Sequence, residues 1–480
     1  MKIYLINPPF LKNFVRCGRW QGVRARGKTL YYPIWLSYAT GILEQHSYET
    51  RLVDAIARKL THVEALNDIV AYSPDVVVVD TNFSSLNNDI NFAIAISKQL
   101  KDITIVITGP PTSVYATEIL RMCKRFVVAR KEFDYTILDI VKTIENQGSK
   151  NSILGISYID NGKIFHNPDR PYLSSADLDC LPFVSKVYKK HLNINDYWLD
   201  HTLNPMVQII TSRGCPNSCT FCSWPENLTG RKFRARNPKN IVDEMEWVQK
   251  NLPKVKEIFF EDDNFTTNKN RVLKFCDEIL NRKLDVIWSC QTRPTLDYET
   301  MKKMKDAGCR LLDVGYESGN DNILYNVKKG FLTKTSLNFA KNAKKIGLMV
   351  LGDFVFGLPG ETENTIQQTI DFINTLQPDI LQISIATPIP GTKFYEWCKA
   401  NGYLLFPDPK QSIDDFGYQK CVISYPKLDN HVLQQYVNQA LRKYYINPSY
   451  VKIVFKNISK RNGFLELKRI LTSAKYFLIK

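Results

Sequence analysis

Met206-Val207-Gln208-Ile209-Ile210-Thr211-Ser212-Arg213-Gly214-Cys215-Pro216-Asn217-Ser218-Cys219-Thr220-Phe221-Cys222 is the stretch from which the fold is read. Its opening, Met206–Thr211, is apolar and β-branched and predicts a strand; Gly214 and Pro216 then turn it into a loop. The loop spaces three cysteines as C-x3-C-x2-C. A zinc site normally takes four ligands, commonly as two separated pairs. No second pair follows, and none of the six histidines lies in the loop. A redox C-x-x-C would leave Cys215 without a role. Three thiolates with one iron left open suit a [4Fe–4S] cluster. A loop directly after a strand lies on the carboxyl-end face of a β/α array. The plain alternative is three incidental cysteines.

Further strands are predicted at Lys256–Glu261, Val286–Gln291, Arg310–Tyr316, Met349–Phe356 and Ile380–Ala386. Helices are expected at Lys239–Asn251, Asn268–Arg282, Tyr298–Ala307, Lys334–Ile346 and Glu361–Leu376. Six such units are too few for a closed eight-stranded barrel and suit an open partial one. The strand ends carry Glu261-Asp262-Asp263, Arg293, Glu317-Ser318, Gly357-Leu358-Pro359-Gly360-Glu361 and Pro388-Ile389-Pro390-Gly391. The glycines of the fifth permit a tight turn, with Glu361 opening a helix.

Upstream, residues 1–145 alternate strands (Lys2–Ile6, Asp75–Asp80, Ile103–Thr108, Phe126–Ala129) with helices (Trp35–Glu44, Asn88–Leu100, Thr117–Lys124). Continuous apolar runs predict strands buried on both faces, hence an α/β, doubly wound parallel sheet. Such sheets bind ligands at the strands' carboxyl ends, here Asn7-Pro8, Asp54, Thr81-Asn82 and Gly109-Pro110. Four regions follow: 1–145, a polar linker with a hairpin at 146–204, the second array at 205–424, and a basic helical region at 425–480.

With 480 residues, 44% hydrophobic and 23% charged, the chain reads as globular. Eleven cysteines, odd in number and scattered outside the loop, argue against a secreted disulfide framework. Cys17, Cys123, Cys180, Cys276, Cys290, Cys309, Cys398 and Cys421 read as small buried hydrophobes. The histidines read as surface or satisfied core residues. No signal peptide and no membrane-length apolar run is seen, so a cytoplasmic protein is expected. The net charge of +16 comes without an RNA-recognition, zinc-finger or helix-turn-helix pattern, which argues against nucleic acid. From residue 440 onward Tyr450, Phe455, Leu467 and Leu471 are interleaved with Lys and Arg. That pattern suits a solvated helix packed on the barrel, or one touching a membrane surface or a lipid-like substrate.

C-x3-C-x-aromatic-C, with Phe221 as the aromatic, resembles the signature of the radical S-adenosylmethionine (SAM) superfamily. The resemblance implies that Cys215, Cys219 and Cys222 hold the cluster and that SAM chelates the open iron. An electron from a donor such as flavodoxin or ferredoxin then cleaves SAM to a 5′-deoxyadenosyl radical. It places Phe221 near the adenine and Glu261, Asp262 and Asp263 at the amino end of SAM. Arg293 would face the carboxylate, Glu317 and Ser318 the ribose and carboxylate, and Gly357, Pro359 and Gly360 would line the site with backbone. A doubly wound domain ahead of such a barrel resembles the cobalamin-binding class, with Asn7, Pro8, Thr81, Asn82, Gly109 and Pro110 at the cofactor. No D-x-H-x-x-G motif exists, which agrees with that class. Thr108-Gly109-Pro110-Pro111 and Ala129-Arg130-Lys131-Glu132 depart from its more glycine-rich loops. Arg19-Trp20-Gln21, Tyr32-Pro33-Ile34-Trp35-Leu36 and Cys222-Ser223-Trp224-Pro225 look similar to the hopanoid-biosynthesis branch and its natural-product relatives. The expected activity is methylation of an unactivated carbon of a small-molecule or lipid-like substrate. Alternatives are radical rearrangement or dehydration of a polyol, sugar or hopanoid side chain, and tRNA methylthiolation. The last lacks a second cysteine triad and an RNA-binding domain. A non-catalytic iron–sulfur or nucleic-acid-binding protein would not need the strand-end features.

Overall fold

Lys2–Asn7 (β1) is the first of two sets of parallel strands in this computed structural model, which describes residues 1–16, 22–25, 27–406, 408–459 and 462–478. Cys17 and Arg19-Trp20-Gln21 lie outside the described residues. The first set continues with Glu49–Asp54 (β2), Val76–Asp80 (β3), Thr104–Thr108 (β4) and Phe126–Ala129 (β5). Val76–Asp80 is buried throughout, as its unbroken β-branched run requires. The predicted hairpin forms as Ile156–Asp160 (β6) and Lys163–His166 (β7), and it pairs antiparallel with β5. The sheet thereby reaches seven strands in the order β2-β1-β3-β4-β5-β6-β7. The linker's hairpin is thus an edge of the first sheet, because β5 would otherwise expose its ladder.

The second sheet runs Met206–Ile209 (β8), Glu257–Phe260 (β9), Trp288–Thr292 (β10), Cys309–Glu317 (β11), Met349–Phe356 (β12) and Ile380–Ile385 (β13). The six are parallel and ordered as in the sequence, an open barrel with helices outside. Helices 34–45 and 134–145 lie between the two sheets, so one apolar cluster holds residues of both, among them Trp35, Phe133, Ile209 and Trp224. Helices 62–72, 86–99 and 116–122 cover the far face of the first sheet in a separate cluster. The first of these starts with a capping box between Thr61 and Glu64.

Helices 430–446, 448–458 and 463–478 follow the barrel. The last closes the barrel's amino-terminal end: Arg310, at the start of β11, pairs with Glu257 (2.8 Å) and with Glu466 (2.6 Å). No helix of the described residues is long and apolar enough to cross a membrane.

Three sequence expectations change. Cys180 is exposed and Cys123 half-buried, whereas Cys276, Cys290, Cys309, Cys398 and Cys421 are buried. His201 is buried against Phe259 with its Nε2 unpartnered, and burial, then Arg310 and Arg469, lower its pKa to about 3. Glu361 does not open a helix: Thr362 caps one that begins at Glu363.

Candidate active site

The cysteine loop leaves β8 and is fastened before it reaches Cys215. Asp262, buried just beyond β9, accepts hydrogen bonds from the Thr211 N–H (2.6 Å) and hydroxyl (2.5 Å) and from the Ser212 hydroxyl (2.6 Å). Asp263 accepts from the Gly214 N–H at 2.7 Å. Gly214 has φ +84°, and a Cβ there would stand 2.1 Å from the Lys232 carbonyl, so glycine is required. Arg213 is buried over the Trp35 ring and donates to both oxygens of Asp134, at 2.7 and 3.0 Å. Its strand partner Arg234 donates to both oxygens of Glu132, at 2.9 and 2.8 Å. Two bidentate pairs therefore clamp the root of the loop to the first sheet.

Cys219 is buried, Cys215 and Cys222 half-buried. The Asn217 amide donates to Cys215 Sγ at 3.3 Å, and Arg293 Nη1 lies 3.8 Å from Cys219 Sγ. Among the described residues no three His, Cys, Asp or Glu side chains converge closely enough for a single metal ion. The thiolates of a four-iron cube bind different irons and stand further apart than the ligands of one ion. Three cysteines on one loop, two of them with N–H donors at their sulfurs, suit the cube.

Arg293, beyond β10, also donates to the Lys329 carbonyl and covers the Phe331 ring. The buried Lys329 ammonium donates to Glu317 Oε1 at 2.6 Å. Burial works against that ammonium, but Glu317 outweighs it and raises its pKa. Glu317 sits at φ +67°, strained for a residue with a Cβ, and its Oε2 is buried without a partner. An unpaired buried carboxylate oxygen beside the cysteine loop marks a place for a donor on a ligand.

Inside the barrel the pleat turns Gln208, Glu261, Gln291, Asp313 and Asp353 to one face. Glu261 accepts from Gln208 (2.8 Å) and Gln291 (3.2 Å). Asp313 and Asp353 hydrogen-bond to each other, which two carboxyls do only by sharing a proton; burial and then Asp313 push the Asp353 pKa far up. Asp353 Oδ1 and Gln291 Oε1 are buried without partners. Asp353 stands beside Gly315 on β11, and the Glu317–Lys329 pair fills the space a side chain there would take.

The expected strand-end residues divide accordingly. Glu317 and Arg293 face the cysteine loop, and Phe221 is buried within it. Asp262 and Asp263 fasten the loop rather than face a ligand, and Glu261 is shared by two glutamines. The Ser318 hydroxyl is taken up by Thr369 of the helix Glu363–Leu376 (3.2 Å) and by the Asn320 N–H (3.2 Å). Gly357 and Gly360 have φ +90° and +89°, so the tight turn around Pro359 forms as read. The Glu361 carboxyl folds back to accept from the Gly357 and Leu358 N–H groups, and burial raises its pKa to about 8.

In the first sheet the candidate ligand residues all reach the carboxyl edge, but their polar groups are committed. Asn7 donates to Asp54 (2.8 Å) and accepts from Arg16 (2.8 Å), while Pro8 accepts from Arg16 through its carbonyl (2.7 Å). Thr81 donates to Asp89 (3.0 Å), and Asn82 holds the Arg16 carbonyl (2.8 Å). Arg16 itself pairs with Asp89 in full burial. A Cβ on Gly109 would meet the Thr81 carbonyl at 2.1 Å, and Pro110 begins a short 3-10 turn. Beside this edge lies a small cavity of about 20 Å³ between Phe83 and the turn after β13, lined by Pro388, Pro390, Tyr395, Phe406 and Asp408.

Arg213, Asp134, Arg16, Asp89 and Lys329 escape sequence reasoning, since their partners are remote. Asp313 and Asp353 carry a signal: each interrupts an apolar strand on its inward phase.

A cysteine triad after the first strand of a parallel six-stranded open barrel, behind a doubly wound sheet, defines an iron–sulfur enzyme of the SAM-cleaving type. The radical SAM superfamily profile matches residues 209–373. An uncharacterized methyltransferase, PH0819 of Pyrococcus horikoshii, is 30% identical over 98% of this chain and 97% of its own. The chain belongs to the radical SAM superfamily and is a radical SAM enzyme. The anaerobic magnesium-protoporphyrin IX monomethyl ester cyclase of Rubrivivax gelatinosus is 24% identical over 90% of the chain and 77% of its own. In fold, the chain is similar to the cobalamin-dependent SAM radical enzyme OxsB with aqua-cobalamin and SAM bound. The TM-score is 0.71 at 15% identity, over 100% of this chain and 72% of that one.

Proposed function

We propose that the protein is a cobalamin-dependent methyltransferase acting on an unactivated carbon of a small-molecule or lipid-like substrate. The observation that carries it is the clamp of Arg213 and Arg234 on Asp134 and Glu132. It joins the carboxyl end of β5 in the first sheet to the carboxyl end of β8 in the barrel. The full-length likeness to PH0819 supports methyl transfer, and the fold shared with OxsB supports cobalamin. When bound, the cluster supplies the electron that cleaves SAM, and cobalamin supplies the methyl group. Cys215, Cys219 and Cys222 hold the cluster, Arg293 and the Glu317–Lys329 pair receive the polar groups of SAM, and Phe221 borders the adenine. Asp313 and Asp353, sharing one proton, accept hydrogen bonds from the substrate in the barrel. A flavodoxin- or ferredoxin-like donor reduces the cluster. The hopanoid-like stretches answer to packing: Tyr32, Trp35 and Trp224 are buried between the sheets, with the Trp35 and Trp224 rings 5.8 Å apart.

The second reading is a radical rearrangement or dehydration without methyl transfer, favoured by the cyclase among the relatives. Anaerobic reconstitution with iron, sulfide and hydroxocobalamin separates the two. About four irons and one cobalt per chain, with S-adenosylhomocysteine beside 5′-deoxyadenosine in turnover, support methylation. Iron without cobalt, and 5′-deoxyadenosine alone, support the second. Cys219→Ala is expected to abolish SAM cleavage, and cleavage surviving loss of the iron would remove the site assignment.

A further inference from the structure

Helices 448–458 and 463–478 fully bury polar side chains while leaving large apolar ones in solvent. Their buried side chains are polar: Asn457 donates to Asp379 (2.9 Å), and Glu466 pairs with Arg310 (2.6 Å) and Arg469 (2.9 Å). Large apolar side chains are exposed on them: Phe455 is 65% exposed, Phe464 79% and Leu471 61%. Val451 and Phe455 are four residues apart, and Phe464, Leu467 and Leu471 follow at intervals of three and four. Each set therefore forms one stripe along its helix. A helix facing only water carries the opposite pattern. Lys452, Lys456 and Lys468 are exposed among these residues. The one carboxylate side chain between residues 446 and 480 is Glu466, and it is buried.

We infer that these two helices dock the enzyme onto an anionic phospholipid surface, their apolar stripes entering the acyl boundary while the lysines reach the phosphates. Charge decides for lipid over a second copy of the chain: two such basic faces would repel one another, whereas an anionic leaflet attracts them. The barrel end that receives Glu466 would then face the membrane. This inference does not depend on methyl transfer and stands whichever radical reaction the enzyme performs.

The test is flotation of the full-length, cluster-loaded protein with vesicles of phosphatidylcholine alone and of phosphatidylcholine with phosphatidylglycerol in equal parts. The expected result is binding to the second kind and little to the first. K452Q/K456Q and F455S/F464S are each expected to weaken it about tenfold, the first by charge and the second by apolar area. Iron content and circular dichroism show that both variants stay folded. The inference is overturned if the wild-type protein ignores anionic vesicles, or if both variants bind as it does. A concentration-dependent dimer that F455S/F464S dissolves, without vesicle binding, would assign the face to a second copy instead.

Discussion

Arg293 is the side chain to which the structure adds a second role. Expected at the SAM carboxylate, it also lies 3.8 Å from Cys219 Sγ, with Lys329 close behind. A positive N–H donor beside a cluster thiolate stabilises the reduced, more negative state. Arg293→Gln is therefore expected to lower the cluster potential by roughly 60 mV, a tenfold change in the ratio of reduced to oxidised cluster. Arg293→Lys should recover part of it. A potentiometric titration followed by electron paramagnetic resonance, without SAM, reads this directly, and an unchanged midpoint would return Arg293 to a purely structural role. Glu361 gives a pH dependence. Its carboxyl is raised from 4.5 to about 8, so the stability it contributes is whole below the ordinary value and is lost as pH rises through about 8. Tyr425, packed against it, stays protonated over this range. The melting temperature should fall from pH about 6 to about 9 in the wild type and fall less in Glu361→Gln, which stays neutral.

The loop from Thr211 to Cys222 is positioned by partners on neighbouring elements rather than by its own sequence. Asp262 takes three hydrogen bonds from its first two residues, and Asp263 takes one from Gly214. Asp262→Ala removes the acceptor for three buried donors and should cost roughly 3 kcal/mol. The cysteines would remain but their spacing would loosen. Iron per chain after gel filtration is expected to drop, with the barrel's circular dichroism retained. Retained iron would show that the cysteines alone shape the loop. The turn around Pro359 owes its shape more to its own sequence, because glycine adopts the positive φ of Gly357 and Gly360 at no steric cost.

Two buried charge systems join the molecule. One clamps the first sheet to the cysteine loop through Arg213 and Arg234; the other joins the last described helix to the barrel through Arg310, Glu257 and Glu466. Removing one partner of such a system leaves an uncompensated buried charge, at about 3–5 kcal/mol. Glu466→Ala should free helix 463–478 to proteolysis while the barrel stays resistant. Asp134→Ala should instead lower the thermal stability of both sheets together, since a common core lies between them. Separate melting of the two sheets in that variant would show that the clamp, rather than the core, couples them.

By itself the sequence determined the cysteine spacing, the two strand–helix arrays and the turns at the strand ends. Each is written in neighbouring residues: C-x3-C-x2-C, the run Val76–Val79, the glycines around Pro359. It also marked the last helices as basic and apolar together. Only the tertiary structure decided which acids face the cavity and which fasten the loop. Asp262 and Glu261 are adjacent in sequence, yet the pleat sends them to opposite sides. The pairs that clamp the two sheets join residues 79 and 102 positions apart, and no local pattern announces such a partner. The outward turn of Phe455 and Phe464 was decided in the same way, because Arg310 and Asp379 on the barrel draw the polar sides of those helices inward.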